Sequence, residues 1–369
     1  MTALFALPDH EVVRGLLPDI AGRRLDREAA RRRILASRGV VPAAIDPRGQ
    51  GAVYWIDIGD HRFRHWQYVF TIDHLARSGG IRDHFSSPVE LLDEDELFKD
   101  AVPVAGLIFH VSRCGSTLVT KALGRLDRHV MISQGAPLQR GFWAHATAGW
   151  TRPLGRDDMT LRRLRNLVRA MCRRRHPEEE RAFVKFISWN TIHAREIRAA
   201  LPGVPAIFLY RDPVEVIASV RRDTTAVLEA RGTGLDRVLT GLDEASLADL
   251  DEVTYLAHCY RRYFEVAAAE AGEGFALLNY RDLSAERFGD VLRAAFGLDF
   301  AAEELAEMRA QFAVHSKDDS GRRSFKDDRA AKQAALNRDE KAVIREICGC
   351  AMAALEEHPA NLYARRRAA

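Results

Sequence analysis

The sequence predicts an α/β protein, a three-layer sandwich around a central parallel sheet, on three observations. From Val104 onward short apolar runs recur along the chain, stretches with helical spacing separate them, and the runs are apolar at nearly every position instead of alternating. Strands buried on both faces read this way because crossover helices cover both sides of a parallel sheet.

The elements follow in order. GLIFHV (106–111) leads into the helical LVTKALGRL, and HVMIS (129–133) is the second strand. A long helical insertion, LRRLRNLVRAMCRRRH, precedes the third strand, FVKFIS (183–188). AIFLY (206–210) runs into the helix VEVIASVRR, and FALLNY (275–280) is the last strand. Residues 1–100 read as an N-terminal accessory region of unknown role, with Arg-rich helical patterning at 20–38 and a strand-like VYWIDIG at 53–59. There a helix, HWQYVFTIDHLARSG, is closed by Gly79 and Gly80. Residues 101–330 form the α/β domain, and 331–369 a C-terminal helix ending in a frayed tail.

Composition excludes several classes. The 369 residues are 47% hydrophobic and 29% charged, which suits a globular protein able to bury a core. A net charge of +3 is too mild to argue for nucleic acid. The longest apolar stretch, 101–111, contains Pro103, Gly106 and His110 and falls short of the roughly 20 residues that span a bilayer. No secretory signal is read at the start, and the five cysteines are odd in number and scattered. A cytoplasmic protein with reduced thiols, without membrane or nucleic-acid partners, is the expectation.

Ligands of parallel sheets sit at the carboxyl ends of the strands. The first such end is HVSRCGSTLV (110–119), where small polar residues turn directly into a helix whose first N–H groups favour an anion. A nucleotide-binding G-x-x-x-x-G-K-[ST] loop is absent, because Gly115 is followed by Ser116 and Gly106 lies nine residues back. A cysteine phosphatase would carry Arg six residues after Cys114, where Thr120 stands.

Arg113, Cys114, Gly115, Ser116 and Thr117, followed by Leu118, resemble the 5′-phosphosulfate loop of the PAPS-dependent sulfotransferases, a Lys or Arg followed by S-G-T-T, with Cys114 in place of a serine. The family's 3′-phosphate motif puts an Arg at a later strand end and a Ser eight residues on, and Arg211 and Ser219 match it. Here Asp212 reads as the helix N-cap, with Pro213 at N1 and Glu215 at N3. The resemblance covers residues 104–330 and implies a P-loop-like sulfotransferase core of bacterial type. PAPS would be the co-substrate and no metal would be required.

By the same resemblance, Arg113 and Lys185 would act on the leaving phosphate, and the polar loop HSKDDSGRRSFKDD, with Lys317 and Arg322, would fold onto the 3′-phosphate. The family's bases do not match: Ile187 stands at the usual histidine position and Gln134 at the usual glutamate position. Gln does not take a proton at neutral pH. His110, His145, His193 or an acidic residue of the insertion are the alternatives, or an acceptor that is already nucleophilic. The implied reaction is sulfuryl transfer to a hydroxyl or amine of a small-molecule, glycan or peptide acceptor that the sequence does not identify. Oligomeric state is equally open. Two other readings compete, a nucleotide-dependent kinase with an unusual loop and a catalytically silent PAPS- or PAP-binding protein. The arginines of the insertion offer attraction for an anionic acceptor, but Glu178, Glu179 and Glu180 behind them favour a self-compensating, solvated helix.

Overall fold

The computed structural model describes residues 8–222, 226–314 and 329–364. Among them eight strands form two sheets: β1 (Val40–Asp46), β2 (Ala52–Asp57), β3 (Asp83–Pro88), β4 (Val104–His110), β5 (His129–Ser133), β6 (Arg181–Lys185), β7 (Ala206–Tyr210) and β8 (Phe275–Asn279). The larger sheet runs β5-β6-β4-β7-β8 and is parallel, as its apolar runs predict, with helices flanking it. Every residue of β5, β7 and β8 is buried. By Cα packing the chain divides into two compact units, 1–105 with 123–186 and 196–202, and 106–122 with 187–195 and 203–369.

The first unit contains the antiparallel sheet β1-β2-β3. β2 matches the strand-like VYWIDIG. β1 and β3 carry weaker signals, Pro42 in one and the polar DHFSSP in the other, and both are edge strands, where a missing N–H or a polar face is tolerated. The register of β1 on β2 shifts between Pro42 and Ala44. Helix Tyr68–Ser78 ends at Gly79 in the left-handed conformation (φ 70°), and the Gly80 N–H returns to the Leu75 carbonyl at 2.8 Å. Helix Arg27–Ala36 covers the centre of the predicted 20–38 span, opening on an Asp26 cap.

The Arg-rich insertion is helical over Asp158–Met171, with Asp157 as its N-cap, and stops before the run of arginines that follows Cys172. Arg173 shows why. Its guanidinium is 2% exposed and donates to both carboxylate oxygens of Asp100 at 3.0–3.2 Å. It also donates to the carbonyls of Ile34, Ser37 and Val40 at 3.0, 2.8 and 3.2 Å. One buried cation thereby satisfies the carboxyl end of helix Arg27–Ala36 and ties it to β1.

The second unit holds most of β4 with β7 and β8, and helices Pro213–Arg222, Glu252–Glu270 and Arg338–Glu357 among its longer elements. The last two pack on each other. Cys350, on helix Arg338–Glu357, is exposed, whereas Cys114, Cys172, Cys259 and Cys348 are buried. No helix among the described residues is long and apolar enough to cross a membrane.

Candidate functional site

Strand order fixes where a ligand site belongs. The chain leaves the central β4 for the β5 edge, whereas β7, the other neighbour of β4, leads on to β8. Connections from the carboxyl ends of two adjacent strands therefore run to opposite sides, and the crevice between them is the switch point where open parallel sheets bind ligands. β4 pairs with β7 from Leu107↔Ala206 to His110↔Leu209, and the Val111 N–H extends the ladder to the Leu209 carbonyl at 3.1 Å. The two segments leaving this crevice are 111–116 and 211–213.

The first is a tight turn. Arg113 and Gly115 both adopt left-handed backbone, φ 63° and 80°, before helix Ser116–Leu123 begins. For Arg113 that conformation carries strain, which gathers at functional sites. The Leu118 and Val119 N–H groups bond to the Gly115 carbonyl at 2.9 and 3.2 Å and close the first helical turn. The N–H groups at the very start of a helix have no intrahelical acceptor, and Ser116 and Thr117, both buried, bring hydroxyls to the same end.

Cys114 plays a different part from the serine it replaces in the motif. Its side chain is fully buried and its Sγ donates to the Val111 carbonyl at 2.8 Å, which also receives His110 Nδ1 at 2.7 Å. The thiol braces the turn from inside. The Ser112 hydroxyl donates to Ser188 Oγ at 3.2 Å.

The second segment brings Arg211 to this turn. Its Nη1 donates to the Arg113 carbonyl at 3.2 Å, and its guanidinium stacks 4.6 Å from the centre of the Tyr280 ring. Tyr280 also lies against Gly115: a β-carbon there would come within 2.7 Å of its ring. Asp212 accepts the Val214 N–H at 2.8 Å and caps helix Pro213–Arg222, with Pro213 in its first position as the sequence predicts. Glu215, the expected capping-box partner, instead accepts Arg211 Nε at 2.5 Å and also takes Gln333 Nε2 at 3.3 Å. An opposite full charge one helical turn back outweighs a backbone N–H. Ser219, farther along the helix, is 1% exposed on its buried face.

Tyr280 and the Gln333 contact with Glu215 were not anticipated from the sequence. FALLNY reads as a uniform apolar strand, and the available signal was that its tyrosine sits at the carboxyl end. Lys317 and Arg322 lie outside the described residues.

Lys185 belongs to the first unit, at the end of β6. It is 1% exposed, and its carbonyl accepts the Gln134 N–H at 2.7 Å. Gln134 follows β5 in left-handed backbone (φ 53°) and its carbonyl accepts Gln139 Nε2 at 3.1 Å. Ile187 is 7% exposed.

Among the candidate bases, His193, at the end of the 3-10 turn Ser188–His193, is buried in the second unit, and burial pushes its pKa down to about 3. Burial, then the nearby Arg163 charge, lowers that of His145 in the first unit. His110 spends Nδ1 on the turn. The acidic run behind the insertion is shared: Glu178 and Glu179 pair with Arg62 and Glu180 with Arg128, while Glu179 also accepts the Arg175 N–H at 2.8 Å. Among the described residues no group of three or more His, Cys, Asp or Glu side chains is arranged to hold a metal ion.

No protein-family model and no curated protein matches the chain. Among solved structures it is similar to the sulfotransferase STF1 from Mycobacterium tuberculosis H37Rv, at 14% identity over 71% of this chain and 82% of that one, with a TM-score of 0.39.

Proposed function

We propose that the chain is a PAPS-dependent sulfotransferase transferring a sulfuryl group to a hydroxyl or amine of its acceptor. The observation that carries this reading is the meeting, within one unit, of the turn after β4 and the guanidinium at the end of β7, 3.2 Å from the Arg113 carbonyl. A donor with a 5′-phosphosulfate and a 3′-phosphate needs two anion-binding elements within the span of one nucleotide. The segments at the switch point offer a helix start with hydroxyls and an arginine.

Arg113 and the backbone of 114–118, with the Ser116 and Thr117 hydroxyls, would hold the 5′-phosphosulfate; Arg211 and Ser219, with Lys317 and Arg322, would hold the 3′-phosphate. The close approach of Tyr280 to Gly115 fits a turn in which backbone alone faces the ligand. PAPS, when bound, supplies the activated sulfuryl group. Arg113 would meet the charge that grows on the leaving phosphate. Arg211 must exchange part of its contact with Glu215 for the ligand, and the neutral Gln333 offers that carboxylate an alternative partner.

A silent PAP-binding protein is the second reading, favoured by Ile187 and Gln134 at the family's base positions and by a His193 whose lowered pKa makes it a weak base. One melting experiment separates the readings. Ligand at 100 times its dissociation constant stabilises the fold by roughly 2.7 kcal/mol. PAP and PAPS should raise the melting temperature of the native protein and leave Arg211→Ala unmoved. A shift with ATP and Mg²⁺ but none with PAP rejects the sulfotransferase in favour of a kinase, and a PAP shift without PAPS consumption identifies the silent binder.

A further inference from the structure

Arg211 is held by a carboxylate that it shares with a distant part of the chain. Glu215, buried on helix Pro213–Arg222, accepts Arg211 Nε at 2.5 Å through Oε2 and Gln333 Nε2 at 3.3 Å through Oε1. Arg211 Nη2 meets the same Oε2. Gln333 lies on helix Arg329–Ala334, 118 residues beyond Glu215, and all three residues belong to the second unit with the turn after β4.

The two lengths rank the partners. The short, charge-assisted contact with Arg211 dominates, and the longer amide contact contributes less. That ranking holds while the guanidinium stays. An anion that draws Arg211 aside takes the positive charge away from a buried carboxylate, and a buried charge left uncompensated is costly. Gln333 already reaches the other oxygen of that carboxylate, and its amide can tighten there as the guanidinium withdraws.

A second observation shows that the segment carrying Gln333 has room to follow. Helices Arg329–Ala334 and Arg338–Glu357 both pack on helix Pro213–Arg222. Between them remains a cavity of about 320 Å³, lined by Ala218, Arg221 and Arg222 on one side and by Lys332, Ala335 and Leu336 on the other. Arg221 and Glu340 pair at 2.6 Å and tether the start of the last helix. Part of this interface is therefore unfilled, and a shift of 332–336 toward Glu215 uses that space without forcing a close-packed core apart.

We propose that Gln333 is a positioning residue for Arg211: as a phosphate draws the guanidinium, Gln333 takes over Glu215 and the segment 332–336 closes onto helix Pro213–Arg222. Nucleotide binding and docking of this C-terminal segment then strengthen each other, since coupling between two binding events is reciprocal. The inference rests on the reading of Arg211 as a ligand of the 3′-phosphate.

The test is calorimetric titration of the full chain with PAP, together with backbone amide exchange. Gln333→Met keeps the unbranched stem and removes the donor. Its PAP affinity should fall about tenfold, as for a lost hydrogen bond to a charged group, at unchanged melting temperature. PAP should slow exchange across 332–336 in the native protein and leave it unchanged in the variant. In a Glu215→Gln background there is no carboxylate to compensate, so adding Gln333→Met should alter PAP affinity by less than about twofold. A residue that merely packs would cost the same in both backgrounds. Should Glu215→Gln not fold, the titration and amide exchange of Gln333→Met decide alone. Native-like PAP affinity in Gln333→Met, equal losses in the two backgrounds, or exchange at 332–336 that ignores PAP in the native protein overturns the proposal and leaves the nucleotide site standing. Absence of PAP binding by the native protein overturns the reading of Arg211 and this inference with it.

Discussion

Gly115 leaves no room for a β-carbon, since φ is 80° and the Tyr280 ring would lie 2.7 Å away. Gly115→Ala should destabilise the fold by about 1–3 kcal/mol in a denaturant titration, from left-handed strain and the displaced ring, and should also remove any PAP-induced stabilisation. Cys114→Ser is the opposite case. The hydroxyl can keep the donation to the Val111 carbonyl, so melting should shift by about 1 kcal/mol or less, and PAP binding should not improve because the side chain faces inward. At this scale sequence reasoning located the turn and Arg211 because both combine a residue type with a strand end. It missed the orientation of Cys114, and it missed the Gln333 contact with Glu215, which joins segments far apart in sequence.

Elements were legible in proportion to how repetitive their patterns are. The five parallel strands are apolar at most positions and fall where the sequence puts them, although β6 ends at Lys185, short of the predicted Ser188, where the chain enters a 3-10 turn. β1 and β3 are less legible because edge strands need neither a full apolar run nor every N–H. The insertion helix ends early because Arg173 is committed to the Ile34, Ser37 and Val40 carbonyls, a contact no local pattern encodes. Arg173→Met should therefore cost about 3–5 kcal/mol by chemical denaturation, since it leaves Asp100 and three carbonyls without their buried donor. Asp212→Ala removes one N-cap and should cost only about 1 kcal/mol.

For the whole molecule, two buried groups of opposite character shape stability against pH. His193, at about 3 in the folded state and 6.5 in the unfolded, contributes stability above pH 6.5 that is lost as pH falls toward 3, because the unfolded chain takes a proton the folded one refuses. Asp9 is 8% exposed and accepts the Arg140 N–H at 3.2 Å; burial raises its pKa from 3.8 to about 7, against the smaller pull of Arg140. Its contribution is present below pH 3.8 and disappears as pH rises through 7. Melting temperature should thus fall on both sides of the mildly acidic range. His193→Gln should flatten the acid limb, and Asp9→Asn the neutral one, in a melting series across pH. If both variants keep the native slopes, neither group carries the dependence.

The single exposed cysteine gives the folded protein one chemical handle. A maleimide should modify Cys350 within the native state and leave the other four thiols untouched until their surroundings open. Mass added under graded denaturant then counts, molecule by molecule, which regions have come apart. Cys172 reports on the first unit, and Cys114, Cys259 and Cys348 on the second.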